Sequence, residues 1–301
     1  MKIPEIPITT DDLLLGALWP ALVATAVAAA AALLPLRRRE WVAPLAVALG
    51  FATAYPMING IAARFWPNSA GDWLFWLSIP IAIASGFIAM WTGRPAGRTL
   101  LGTVVIAAVL YLMMQPAAAS RSGGEWWSLF AVIVLILAVD LWFIDSSLTH
   151  DRSAASMLGF LGILFGACVL IHMSGSLKWS MQAGAATAAC AAVFLLAILG
   201  MHRATLIPAV APTAVAIVGL LFAVSIEPLF VNVRVSNALL IAAAPPLLWL
   251  GRFIQFRRAP EWVNFSIRLA LPAIPVLIAL GIAGAKALAD LNDPGSGYEG
   301  Y

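Results

Sequence analysis

The run LILAVDLWFIDSS, Leu135 to Ser147, decides how the whole chain is read. It is built for hydrocarbon, yet Asp140 interrupts it and Asp145 stands near its end. Upstream, Glu125 is the preceding charge, so Trp126 to Ile144 carries Asp140 as its single ionisable group. At about 1.5 Å of rise per residue this stretch is close to the roughly 30 Å of a bilayer core. A soluble helix would present a polar face along that length. This one presents an isolated acid. The reading that follows is a membrane span with a carboxyl group inside it.

The pattern recurs from end to end. The chain has 301 residues, 62% hydrophobic and 10% charged, where a soluble domain carries about 25% charged residues. Charges bracket apolar runs of span length: Leu13 to Leu36, Trp41 to Ala63, Asp72 to Arg94, Arg98 to Arg121, Trp126 to Asp145, and Arg152 to Lys178. A seventh ends at Met201 to Arg203, an eighth at Glu227, a ninth lies between Arg234 and Arg252, and a tenth between Arg268 and Lys286. The expected fold is an all-α integral membrane protein, a bundle of about ten transmembrane helices, several of them proline-kinked. Residues 1–12 form a short leading segment, 13–288 a single transmembrane helical domain, and 289–301 a Gly-rich flexible tail. The opening MKIPEIPITTDD lacks the basic region of a secretory signal, so the first span is read as retained.

Several functions are excluded or unsupported. No stretch between spans has room for a soluble domain, and a net charge of +3 is too small to indicate nucleic acid. Cys168 and Cys190 fit no metal or redox spacing. There is no HExxH, and His150, His172 and His202 stand apart. His172 lies near Ser174 and Ser176, but a nucleophile also needs an orienting group that cannot be identified, so a polar helix end is the simpler reading. Neither a metal nor a cofactor is expected.

Basic residues set the orientation. With the first loop in the cytoplasm, eleven arginines fall inside (Arg37, Arg38, Arg39, Arg94, Arg98, Arg152, Arg203, Arg252, Arg257, Arg258, Arg268). Six basic residues remain on the other face: Lys2, Arg64, Arg121, Lys178, Arg234 and Lys286. This asymmetry places both termini outside a bacterial-type cytoplasmic (inner) membrane. Most of the twelve tryptophans flank the charges, as an interfacial belt does. A rhythm accompanies them: SAGDW opens span three, SGGEW span five and SGSLKW span seven, with the serines 53 and 52 positions apart. Each reads as an outer turn leading to an interfacial Trp, with an N-terminal cap and an acid in the first two.

Four groups of residues carry functional expectations. Prolines inside spans remove an N–H and free the carbonyl four residues back. Pro245 and Pro246 in span nine, and Pro272 and Pro275 in span ten, are the expected helix-break positions; Pro208, Pro212, Pro56 and Pro80 are further examples. Transporters use such breaks to line binding sites near the midplane. Asn59, Gln115 and His172 fall late in spans that run outward, so they share a depth near the outer face, where Glu227 and Arg234 join them. Spans one and seven are rich in Ala and Gly, which lets helices approach closely.

Asp140 is the fourth. If span five ends near Ile144, Asp140 lies about 7.5 Å inside the cytoplasmic boundary. A water-filled cavity, a basic partner such as Arg203 or Arg252, or protonation would have to compensate it. The expected function is that of a small-solute transporter or permease-like protein. The alternative is a non-catalytic subunit or scaffold of a membrane complex, with a membrane-embedded enzyme third. The partners expected are the lipid bilayer, a small-molecule solute or other membrane subunits, and no nucleic acid.

Overall fold

The structure, a computed structural model, describes residues 14–32, 36–59, 67, 69–91, 95–118, 121–151, 153–199, 203–227, 229–254 and 260–292. The expected leading segment 1–12 and the end of the expected tail, 293–301, lie outside the described residues, as do Arg64, Arg94, Arg152, His202, Arg257 and Arg258.

The described chain is all-helical. A π-helical turn, Leu14–Leu18, leads into α1 (Trp19–Ala32), followed by α2 (Leu36–Asn59), α3 (Ala70–Trp91) and α4 (Pro95–Ala118). Then come α5 (Gly123–His150), α6 (Ala154–Met173), α7 (Leu177–Ile198) and α8 (Arg203–Val224). The last three are α9 (Val235–Ala242), α10 (Ala244–Gly251) and α11 (Glu261–Asn292). An isolated bridge between Ile226 and Val233 closes the turn between α8 and α9.

Six of these helices are long and apolar enough to cross a membrane: α3, α4, α5, α6, α7 and α11. The apolar parts of α1, α2, α8 and the α9–α10 pair are shorter. Where the sequence rhythm predicts caps, two of the three helix starts have them. Ser69 and Asp72 cap α3 reciprocally, the Asp72 backbone N–H donating to Ser69 Oγ at 3.2 Å and the Ser69 N–H to Asp72 Oδ2 at 2.9 Å. Ser122 Oγ accepts from the Glu125 N–H at 3.4 Å at the start of α5. Ser176, before α7, makes no side-chain cap bond.

The interior is built from small residues. In α7, Ala183, Ala186, Ala189 and Cys190 are fully buried, and Ala24 and Ala28 of α1 are buried as well. Gly50 of α2 shows how close the approach is: a Cβ there would stand 2.7 Å from Ala189 Cβ and 2.8 Å from the Pro20 carbonyl oxygen. Without a hydrophobic drive between helices in lipid, such backbone proximity supplies the packing. By contrast, α5 and α11 lie at the periphery, with Leu135 and Leu277 each 64% exposed.

Two sequence expectations change. The helix that carries the expected fifth span does not end near Asp145: α5 runs on to His150, 28 residues in all. Asp145 does not mark a boundary because Arg98 of α4 pairs with it inside the bundle. The ninth span is two short helices meeting at Ala243, two residues before Pro245, whereas α11 continues unbroken through Pro272 and Pro275.

Candidate functional site

Helical spacing sets the face on which Asp140 lies. Ile133, Leu137, Asp140 and Ile144 follow one another at three- and four-residue steps, one stripe of a 3.6-residue helix. All four line a cavity of about 180 Å³ between α5, α6, α8 and the broken α9–α10 segment. Ile163 and Leu164 of α6, and Val218 and Phe222 of α8, form further walls. Gly219 keeps α8 close, since a Cβ there would meet Leu137 Cδ2 at 3.1 Å. Ile241, Ala242 and Pro245 line the remaining side.

Asp140 is the one ionisable residue on these walls. It is half-buried, and no described residue gives it a hydrogen bond or an ion pair. Depth follows from the helix rise. Asp140 is five residues from Asp145 and ten from His150, so it lies about 15 Å inside the end of α5. Arg252, one of the expected partners, is engaged elsewhere, and the side chain of Arg203 lies outside the described residues.

The helix break contributes chemistry to the same cavity. Pro245 and Pro246 have no N–H, so the carbonyls four residues back, those of Ile241 and Ala242, lose their helical donors. The two residues that carry those carbonyls both line the cavity with Asp140. A carboxyl group thus lies beside a helix break on an otherwise apolar wall.

Below Asp140 the bundle is cross-linked by a polar layer. Arg98 Nη2 lies 3.0 Å from Asp145 Oδ2 and donates to Thr149 Oγ1 at 2.8 Å, while Arg98 Nε reaches both oxygens of Asp145 at 3.1–3.2 Å. Arg252 Nη1 donates to Ser146 Oγ at 3.3 Å, and its guanidinium lies 4.7 Å from the Trp249 ring centre and 4.4 Å from that of Phe253. Trp249 Nε1 donates to the same Ser146 hydroxyl at 3.3 Å. Arg268 Nη1 lies 3.1 Å from Asp151 Oδ2, which also accepts from Ser156 Oγ at 2.7 Å. These bonds tie α4, α5, α6, α10 and α11 at one end of the molecule.

The other expected site residues do not converge on Asp140. Asn59 ends α2 and donates from Nδ2 to the Tyr55 carbonyl at 3.0 Å. Gln115 is exposed late in α4, His172 is half-buried late in α6, and Glu227 is exposed in the turn after α8. Among the described residues, no hydrogen bond or ion pair links any two of these five. The polar layer itself escaped the sequence reading, although its signal was present: Arg98 opens one helix and Asp145 lies near the end of the next, which is where the members of a hairpin meet. No protein-family model matches the chain, and no curated protein or solved structure is significantly similar to it.

Proposed function

We propose that the chain is a multi-pass protein of about ten spans in a bacterial-type cytoplasmic membrane, both termini outside, that moves a small solute. In this reading Asp140 is the group that binds a cationic substrate or a coupling cation. One observation carries it: a carboxyl group without a partner among the described residues, on the wall of an apolar cavity bordered by a broken helix. Ionisable residues inside a bilayer are costly and mark ion or substrate paths by default. The seam at Ala243 supplies the kind of discontinuity found where transporters bind their cargo.

The test is reconstitution into vesicles. Uptake of a panel of radiolabelled organic cations, and proton flux read by an internal pH dye, are compared for the parent and for Asp140→Asn. Transport by the parent that disappears in the variant supports the reading. Transport that is equal in both removes Asp140 from the function.

The same cavity gives a second reading. Its walls are apolar apart from Asp140, so it would also seat a helix of another membrane subunit that carries a basic residue. Purification in mild detergent separates the two: a stoichiometric membrane partner lost from Asp140→Asn favours the subunit, and a chain that transports alone favours the carrier.

A further inference from the structure

A second cavity, of about 260 Å³, lies at the end of the molecule away from the Arg98–Asp145 pair, and it shares no lining residue with the Asp140 cavity. Ser174 and Gly175 from the turn after α6, Asn232 and Arg234 before α9, Asn237 in the first turn of α9, and Lys286 of α11 face it. Gly175 has φ +93°, a left-handed conformation that lets the α6 end turn sharply at the cavity rim.

Two independent features give this cavity one chemistry. Arg234 and Lys286 are both exposed cations, and neither has an ion-pair partner among the described residues. Asn237 is 4% exposed, and its Oδ1 is buried with no hydrogen-bond partner. A buried amide oxygen left without a donor is uncommon in native structures. Here the amide lines the same cavity as the two cations.

We propose that this cavity binds a phosphate-class oxyanion that carries a neighbouring hydroxyl. Arg234 and Lys286 take the anionic oxygens, and the ligand hydroxyl donates to Asn237 Oδ1. The amide explains why a bare counter-ion does not complete the site: its free oxygen needs a donor, which a fully ionised oxyanion lacks. A polyol phosphate satisfies both halves, whether it is a free solute or the headgroup of an anionic lipid. This site is independent of the Asp140 reading.

The experiment is isothermal titration of the purified full chain in neutral detergent with glycerol phosphate, dihexanoyl phosphatidylglycerol and sulfate, an oxyanion that carries no hydroxyl donor at neutral pH. Saturable binding of dihexanoyl phosphatidylglycerol alone assigns the site to a lipid headgroup, and binding of glycerol phosphate as well assigns it to a free polyol phosphate. Arg234→Gln and Lys286→Gln, at exposed positions, should each weaken binding about tenfold while elution and melting stay as in the parent. Asn237→Leu should abolish the preference of glycerol phosphate over sulfate. Absence of binding by both glycerol-bearing probes, or binding unchanged in both charge variants, overturns the proposal.

Discussion

Arg98 and Asp145 are 47 positions apart in the chain and 3.0 Å apart in space, with side chains 7% and 1% exposed. The pair fastens the first turn of α4 to the last turns of α5. Removing one partner leaves the other charge buried and uncompensated, which costs about 3–5 kcal/mol, whereas replacing both with apolar residues of similar size is close to neutral. Asp145→Leu and Arg98→Met alone should therefore each lower the melting temperature sharply in detergent, and the double variant should recover most of it. Two single variants that melt like the parent would show that the pair is not holding α4 to α5.

This pair also shows what the sequence could and could not reveal. The all-helical, apolar character was legible, because hydropathy over a span-length run depends on composition alone. Boundaries were read from charges, and that works only where a charge meets water. Asp145 is paired inside the bundle, so reading it as a boundary cut α5 five residues short of its end at His150. Asp140 was legible as a singular residue, while its cavity was not, since the walls come from α6, α8 and α9–α10 and their convergence depends on packing. Asn237 gave no signal at all: an amide at a helix start looks ordinary until its surroundings are known to lack a donor.

Two glycines one turn apart on α6 make a controlled test of packing. Nothing lies within 4 Å of a Cβ built on Gly162, whereas one built on Gly166 would collide with Val276 of α11. Gly162→Ala should be neutral or stabilising, up to about 1 kcal/mol from helix propensity. Gly166→Ala should instead destabilise by about 1–3 kcal/mol, the usual cost of overpacking. Melting followed by thiol-reactive dye would read the difference through exposure of buried Cys168 and Cys190. Equal melting of the two variants would place α11 farther from α6 than the structure does.

Orientation is testable without knowing the activity. The asymmetry of basic residues predicts that both termini face outward. A reporter that fluoresces only in the cytoplasm, fused after Tyr301, should be dark, and one fused after an even number of spans should be dark as well. A bright C-terminal fusion would reverse the orientation or change the number of crossings.

Asp140 carries the last prediction. A charged side chain near the bilayer centre costs roughly 2.5–3.5 kcal/mol on insertion scales, and Asp140 has no partner among the described residues to offset that. If it had no role in the function, a neutral replacement would leave activity as it is. If it serves a ligand, the replacement relieves the cost and removes the function together. Asp140→Asn keeps the shape and hydrogen-bonding capacity; Asp140→Leu fills part of the 180 Å³ cavity with apolar volume. Both variants should fold in normal yield, with Asp140→Leu melting higher than the parent, and both should lose cation uptake in vesicles. A loss of stability in both variants would instead show a carboxyl group that holds the helices together, and would remove it from the transport path.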